Sequence, residues 1–363
     1  MGITAGDTVE FTPDFSLSAE GRDITAAVAS GLVELQFTDY GAGTGKTDEL
    51  RITLMSETLV LPAKGAKLRL GLGFNGIITD KGSFVVCGVA SSGPPRKVEI
   101  YATAAPMDGK KHGGNVNNQK TRSFPDNITL GDLVRTVAAD NGLTARVATG
   151  LKDIVLSHVD QIRESDAALL SRLARLHNAV SKPTRDRWLF LVRGAGESVS
   201  GRAVPHGTVS RDKVSSWNYS AGDRGNSGAG KGKGTVAVDY FHKQTGETRT
   251  LQVTHDGADR HHPYTHADDT QAKQQAGAMV TSARQNARRM SLTAPCRPEF
   301  IALTAEGAIT TTGFGRKEDR RWLIESLCYR LGAAGFSVEF SLVTDFRASG
   351  KNNGGGVDYF NKH

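Results

Sequence analysis

The stretch of sequence that best indicates local structure is HVDQIRESDAALLSRLARLHNA, residues 158–179. Ser165 is placed as a helix N-cap, because its hydroxyl can accept a hydrogen bond from a free amide of the first turn. Asp166 follows at the end of the helix dipole that favours negative charge. An apolar stripe then recurs at spacings of four and three: Leu169, Leu173 and Leu176. The stretch therefore predicts an extended segment leading into an amphipathic helix that packs in the middle of the molecule.

Length, hydropathy and cysteine usage bound the class of protein. At 363 residues the chain is longer than one typical domain, so we expect two to four structural units. It has no apolar run near the ~20 residues of a membrane-spanning helix, and its first residues lack the basic-then-apolar pattern of a secretion signal. Cys87, Cys296 and Cys328 are scattered and lack CxxC spacing. We expect a soluble chain made in the cytoplasm, with reduced thiols and neither disulfides nor a zinc site.

The formal net charge of +7 suits either nucleic acid or acidic protein partners. The positive charges are dispersed, so we favour protein partners and keep direct DNA binding as the alternative. Two polar stretches, residues 104–128 and 221–234, combine glycine with lysine or arginine. Each is expected to be a solvated or flexible connection, and contact with a neighbouring subunit or with passing DNA is the other interpretation.

Alternating apolar and polar residues dominate the first hundred positions. The alternation runs through residues 33–38, 50–54, 67–72 and 98–101, and residues 84–89 are more continuously apolar. Period-two alternation places one face of a strand on a core and the other on water or a partner. Short strands separated by Gly and Pro turns predict a small barrel or sandwich.

One motif in this region imitates a phosphate-binding loop. Residues 41–47 read GAGTGKT, but Tyr40 stands where the P-loop requires its first glycine. An alternating strand follows the motif, whereas a P-loop needs a helix whose N-terminus faces the phosphates. We interpret the motif as a hairpin loop.

Helical and strand patterns mix in the rest of the chain. Thr129 and Asp132 resemble a capping pair at the start of a helix, and a hairpin around Pro183 leads to an apolar strand at 188–192. Strands resume near Thr235, and a long helix is predicted from about residue 268 to 290. Its seam is made mostly of small residues: Ala272, Ala276, Met279, Ala283, Ala287 and Met290. We favour packing of this seam against its own chain, with a partner surface as the alternative.

A polar cluster between 255 and 269 offers candidate metal ligands. It contains His255, Asp256, Asp259, His261, His262, His266, Asp268 and Asp269. His262 and His266 have metal-ligand spacing, but Pro263 breaks any helix that would place both on one face. We favour a polar loop and helix cap over a metal site.

Candidate catalytic carboxylates are present without a motif. Glycoside hydrolysis needs two carboxylates several ångströms apart in a cleft. Glu164, Asp166 and Glu325 could serve, but no pattern positions them, and no Gly-x-Ser-x-Gly elbow occurs. The sequence predicts no catalytic residue, no cofactor and no metal site.

Several short sequence motifs occur in an order that resembles one protein family, the phage late-control D proteins. In the central stretch Asp160-Gln161 is followed by Glu164-Ser165-Asp166 and by a Leu-rich helix containing Arg172-Leu173-Ala174. Further matching motifs occur at residues 37–39, 48–50, 61–62, 122–124, 214–219, 313–315 and 322–326. The resemblance runs from about Phe37 to Phe346.

This resemblance implies an α+β fold, mostly β, with two related small β-barrel domains that form a trimeric ring. The first barrel would span residues 1–104, an α+β middle domain 105–200, and the second barrel 201–350. A helical insertion at about 255–295 would interrupt the second barrel, and 351–363 would be a flexible tail.

The resemblance also implies a function. The family forms the baseplate hub of contractile phage and tailocin tails and is related to the hub part of type VI secretion spikes. A homotrimer would join the hexameric tail tube, or a tube-initiator protein, to the trimeric central spike. Other baseplate proteins and the tape measure protein would be further partners, with no membrane insertion of its own. The expected location is the tail baseplate of a particle made in a bacterial cytoplasm. The alternatives are a tail-associated peptidoglycan hydrolase and a basic nucleic-acid-binding protein.

Overall fold

A computed structural model of the chain describes residues 11–41, 44, 46–104, 116–183, 187–193, 204–222, 234–255 and 258–345. Strands outweigh helices throughout, so the predicted class, α+β and mostly β, is confirmed. No helix in these ranges is both long and apolar enough to cross a membrane.

The first third is almost entirely strand. Its elements are β1 (Pro13–Ala19), β2 (Arg22–Asp23), α1 (Thr25–Ala29), β3 (Leu32–Tyr40), β4 (Glu49–Met55), β5 (Lys67–Phe74), β6 (Ile77–Ser92) and β7 (Lys97–Thr103). The alternation predicted these strands for the expected reason. In β4, Leu50, Ile52 and Leu54 are buried, whereas Arg51 is exposed.

The middle third mixes strands and helices. Its elements are β8 (Gln119–Ser123), β9 (Ile128–Thr129), α2 (Leu130–Asp140), β10 (Thr144–Val147), α3 (Thr149–Lys152), β11 (Val155–Leu156), β12 (Asp160–Ser165), α4 (Asp166–Leu176), β13 (Ala179–Pro183) and β14 (Arg187–Val192). Both predicted N-caps are confirmed. The Ser165 hydroxyl accepts from the Ala168 amide at 3.2 Å, and that of Thr129 accepts from the Asp132 amide at 3.1 Å.

The prediction of one polar loop from 104 to 128 was wrong for its second half. Residues 119–123 form β8, which pairs antiparallel with β12. The flanking Val116 and Phe124 are buried in the core of the middle third. Polar composition hid this strand because β8 lies mostly exposed and is held by its partner strand and not by apolar side chains.

The last third returns mostly to strands and contains the longest helix of the described residues. Its elements are β15 (His206–Ser210), a 3₁₀ turn (Arg211–Lys213), β16 (Ser216–Ala221), β17 (Gly234–His242), β18 (Glu247–His255), β19 (Arg260–His261), α5 (Asp269–Asn286), β20 (Arg288–Pro295), α6 (Pro298–Ile301), β21 (Ala308–Thr312), β22 (Arg321–Gly332) and β23 (Gly335–Thr344).

The predicted end of the long helix was wrong. α5 ends at Asn286, and Met290 lies in β20 with its side chain buried. Met290, Leu292 and Ala294 alternate with exposed or partly exposed neighbours, and β20 pairs with both β16 and β23. Alternation with period two and pairing with two strands therefore make this segment a strand, although Ala287 and Met290 continue the helical spacing of the seam.

One large sheet joins the two ends of the chain. Its strand order is β16-β20-β23-β22-β3-β4-β7-β6-β5-β1-β2; β21 also pairs with β22, and β15 pairs with β21. The connection is the antiparallel pair β3–β22, in which Phe37 faces Tyr329 and Leu35 faces Leu331. The Phe37 and Tyr329 rings stack with centroids 6.1 Å apart, inside a single apolar core that draws on both ends.

Two smaller cores lie apart from the large sheet. The first packs α2 and α4 against Trp188 and Phe190 of β14. The second packs α5 against β17 and β18. Ala272, Ala276 and Val280 of α5 face this small sheet, so packing of the seam against its own chain is confirmed.

The unit that contains the long helix also includes strands that the sequence analysis had assigned to the second barrel. The sequence assigned the strand after Thr235 to the second barrel and placed a helical insertion at 255–295. In the structure β17 pairs with β18 and β19 and not with the large sheet. Strands therefore belong to the same packed unit as α5. The domain boundaries stay a prediction.

Candidate functional site

A buried ion cluster lies where the three thirds of the chain meet. Lys182 on β13 places its Nζ 2.7 Å from Asp39 Oδ1 and 2.8 Å from Asp48 Oδ1. Nζ also donates to the Tyr40 carbonyl at 3.1 Å. Asp39 Oδ2 accepts from the Ala305 amide at 2.9 Å. The cluster therefore ties the middle third to strands of the first third and to a turn of the last.

Burial and mutual charge set the ionisation of this cluster. Burial alone would raise the pKa of Asp39, but the charge and hydrogen bond of Lys182, with the Ala305 amide, lower it overall. Burial raises the pKa of Asp48 to about 7, with a further contribution from Asp39 and opposition from Lys182. Burial would lower the pKa of Lys182, yet the two carboxylates raise it. One ammonium thus faces two carboxyls, of which Asp39 holds its charge more strongly.

A second buried carboxylate organises the middle third. Asp166 is completely buried, and its oxygens lie 2.6 Å from Lys120 Nζ and 3.0 Å from Arg122 Nη2. The side-chain amides of Asn141 and Gln161 donate to it at 2.7 and 2.9 Å. Burial would raise the pKa of Asp166, but these hydrogen bonds and the Lys120 charge lower it. The carboxylate lies in the first turn of α4, as predicted, and also joins β8, the end of α2 and β12.

The other two candidate catalytic carboxylates are held in ion pairs. Glu164 Oε2 lies 2.9 Å from Arg172 Nη2. Arg289 donates a hydrogen bond to each carboxylate oxygen of Glu325, both at 3.1 Å. Glu164, Asp166 and Glu325 do not line one common cleft. The structure therefore does not assemble the pair that glycoside hydrolysis would require.

A cleft of about 1030 Å³ lies between α4, α5 and the segment after β19. Among the described residues that line it, the carboxylates are Asp268 and Glu325. Asp268 caps α5 by accepting from the Gln271 amide at 2.9 Å, and Glu325 is paired with Arg289. Both acids of the cleft therefore already have structural partners.

The histidine-rich segment is spread over several structures. His261 lies in β19, with its Nε2 3.0 Å from Asp239 Oδ2, while Asp259 accepts from the Thr235 amide at 2.7 Å. The rings of His262 and His266 are close, with centroids 4.9 Å apart, although Pro263 prevents a helix between them. Asp256 lies outside the described residues.

No three metal-ligating side chains come together within the described ranges. Burial, and then the neighbouring His262, lower the pKa of His266. The two rings therefore form a close polar pair beside the cleft.

The two sequence features that suggested nucleotide or nucleic acid have other structural roles. In the GAGTGKT motif, the Thr44 hydroxyl donates to the Gly41 carbonyl at 2.7 Å, and β4 follows the motif. Residues 42, 43 and 45 lie outside the described ranges. Lys120 and Arg122 of the basic stretch are engaged with Asp166, while Lys110 and Lys111 are not described. The rest of the DNA interpretation, for residues 223–233, also falls outside the described chain.

Sequence reasoning missed the Lys182 cluster and the partners of Asp166. Asp39 and Asp48 carried one indication, since each stands at the end or start of an apolar strand where a charge is unusual. Lys182 carried none, because its partner Asp39 lies 143 positions away. The pairing depends on how the units pack.

Solved structures of several phage-tail and secretion-system proteins share the fold of this chain. The 43 kDa tail protein of prophage MuSo2 from Shewanella oneidensis aligns over 92% of this chain and 98% of its own, with TM-score 0.63 and 14% identity. A component of the type VI secretion system from E. coli, described as similar to phage T4 tail proteins, aligns over 91% and 76%, with TM-score 0.54 and 9% identity. At these identities the likeness is one of fold. The fold is that of phage-tail and related secretion-system proteins.

Sequence comparison narrows the class. The family model described as phage tail baseplate hub (GPD) matches residues 117–334. The probable baseplate hub protein of Escherichia phage 186 is 33% identical over 225 residues, which are 62% of this chain and 56% of that protein. The chain belongs to the phage tail baseplate hub family, as its resemblance to late-control D proteins predicted. It aligns with little more than half the length of this curated relative.

Proposed function

We propose that the protein is the baseplate hub of a contractile tail and acts as a homotrimeric adaptor between the tail tube and the central spike. Three copies would close into a ring in which two barrel-like halves per copy present pseudo-sixfold symmetry to a hexameric tube. The opposite face would present threefold symmetry to the trimeric spike. Other baseplate proteins and the tape measure protein are further proposed partners, all at the tip of the tail.

Membership of the baseplate hub family is the observation that carries this proposal. The large sheet supports it, because β3 and β22 join the two ends of the chain side by side and antiparallel. From that joint the strands run outward through β4 and β7 on one side and through β23 and β20 on the other. Each copy therefore contributes two joined halves, and three such copies can close a ring through repeated heterologous contacts.

We propose that this role involves no covalent chemistry. Support comes from positive contacts, because Glu164, Asp166 and Glu325 are each engaged by an arginine or lysine. A hub needs matched surfaces, and an interface of standard size buries roughly 1,600 Å² in total. Each contact in a trimeric ring is expected to reach or exceed that area.

The test is the mass and shape of the purified chain together with the trimeric spike protein of the same particle. Native mass spectrometry should give a hub component of three chains of 38.7 kDa each, and cryo-electron microscopy should show an annulus of three copies. A single copy bound to the spike, or a lone copy holding substrate in the cleft between α4 and α5, would contradict the proposal.

A further inference from the structure

The loop between β21 and β22 is tightly constructed, although it lies on the surface. Asp319 accepts from the amides of Gly313 and Phe314 at 3.0 and 2.9 Å. The buried Trp322 indole donates to the Glu318 carbonyl at 3.1 Å and so anchors the end of the loop. Gly313 has a φ of +80°, a conformation that L side chains rarely adopt. The loop therefore has one defined shape before any partner arrives.

This construction engages the two acids with backbone amides of the loop and leaves two exposed cations without such partners. The Asp319 carboxylate is occupied by the loop amides, and that of Glu318 bends back so that Oε2 accepts from the Lys317 amide at 3.1 Å. Arg316 and Lys317 are exposed, and neither forms an ion pair with another described residue. In the sequence Arg-Lys-Glu-Asp the two acids are therefore engaged within the loop, whereas the two cations remain available to a partner.

Aromatic side chains lie next to these cations. The rings of Phe314 and Trp217 meet edge to face, with centroids 5.6 Å apart. Trp217 lies on β16, the outermost strand at one end of the large sheet, and remains 36% exposed. Arg211 is the third cation, because a Cβ built on Gly313 would lie 3.8 Å from the Arg211 Cβ. We call the surface formed by Arg211, Trp217, Phe314, Arg316 and Lys317 the basic-aromatic patch.

We propose that the basic-aromatic patch binds a short acidic segment of a partner protein. Carboxylates of the segment would pair with Arg211, Arg316 and Lys317, and an apolar side chain would pack on the exposed edge of Trp217. Trp and Arg are the side chains that most often dominate protein interfaces. A loop already fixed in shape loses little conformational entropy on binding.

The surroundings of the patch favour an acidic peptide over nucleic acid. The exposed Asp212 adjoins Arg211, and Glu299 lies 3.5 Å from the Lys213 ammonium at the rim. Acids therefore interrupt the positive surface within a few residues. Tight binding to a phosphate backbone relies on a longer run of cations, commonly six to ten contacts.

The test uses intrinsic fluorescence of the full chain titrated with a synthetic peptide rich in Asp and Glu and containing a single Leu. The protein has three tryptophans, and Trp188 and Trp322 are completely buried, so Trp217 is the exposed reporter. The peptide should change the fluorescence in a saturable manner. The double variant Arg316→Glu/Lys317→Glu should lose about tenfold in affinity, equivalent to ~1.4 kcal/mol.

A matched control separates the patch from net charge. Arg22→Glu/Lys64→Glu changes the net charge equally, at two exposed residues of the first third, and should retain affinity. Circular dichroism checks that both variants are folded. Equal losses in the two variants, or no saturable response to the peptide, would overturn the proposal. Tighter binding of a double-stranded DNA oligonucleotide with the same dependence on Arg316 and Lys317 would overturn it in favour of nucleic acid.

Discussion

At the scale of single residues, buried charges are the feature that sequence inspection undervalues. Asp166 stands at the start of α4 and was predicted to act through the helix dipole alone, an effect of about 0.3–1 kcal/mol. In the structure it is a completely buried acceptor for Lys120, Arg122, Asn141 and Gln161. Removing one partner from a buried ion pair typically costs about 3–5 kcal/mol. The side chain therefore matters to the whole middle third as well as to its own helix.

The Lys182 cluster makes stability depend on pH in a definite direction. The pKa of Asp48 is raised from 3.8 to about 7 in the folded protein. A raised folded pKa means that its contribution to stability is fully present below the unfolded value and is lost as the pH rises through about 7. The depressed pKa of Asp39 acts oppositely, since its contribution is lost as the pH falls below the unfolded value.

We predict that Asp48→Asn flattens this dependence. Between about pH 5 and about pH 8 the unchanged protein should lose on the order of 1–3 kcal/mol of unfolding free energy as Asp48 ionises. The variant has no carboxyl at this position and should not show that loss. The measurement is urea unfolding at the two pH values. Asp39→Asn is the matched control and should destabilise at both, because it leaves Lys182 without its firmly ionised partner. Parallel pH profiles for Asp48→Asn and the unchanged protein would contradict the assignment.

At the scale of elements, α5 shows how side-chain volume sets helix packing. Ala272 and Ala276 are completely buried against the small sheet of β17 and β18. Gly277 faces away, and a Cβ added there would meet nothing within 4 Å. Adjacent residues of one helix therefore have opposite requirements.

Two substitutions at these adjacent positions should have opposite signs. Ala276→Leu should destabilise the protein by about 1–3 kcal/mol, because the extra methylenes overpack a closed core. Gly277→Ala should stabilise it by up to about 1 kcal/mol by lowering the backbone entropy of the unfolded helix. Both changes in stability can be measured by chemical unfolding, with proteolytic cleavage of the unit formed by α5, β17 and β18 as the readout. Stabilisation by Ala276→Leu would show that the seam faces solvent or a partner and not its own sheet.

At the scale of the whole molecule, the β3–β22 pair makes the two ends of the chain one cooperative body. Leu35 of β3 is completely buried in a core that also contains Phe340 of β23. The insertion has its own core, to which Val238 belongs. The large sheet and the insertion should therefore open as separate units.

Hydrogen exchange can test this division. Leu35→Ala should lower stability by about 2–5 kcal/mol and accelerate exchange in β22 and β23 as well as in β3 and β4. Val238→Ala is the control and should accelerate exchange in β17, β18 and α5 while leaving β22 unchanged. Acceleration confined to the first third in the Leu35 variant would mean that the two ends of the chain open independently.

The sequence by itself determined the features that are written within a few neighbouring residues. Ser165 and Thr129 cap helices because the accepting oxygen and the donating amide are three residues apart. The strand of residues 49–55 follows from side-chain alternation. Word order along the chain was enough to identify the family.

Only the tertiary structure decided which distant residues meet. It converted the polar segment 119–123 into a strand, ended α5 at Asn286, and brought Lys182 to Asp39 across 143 positions. It also engaged the acids of the β21–β22 loop with backbone amides of that loop. These outcomes depend on pairing strands and burying charges between units far apart in sequence. Local periodicity carries no information about such contacts, because the energy that selects them exists only once the units pack.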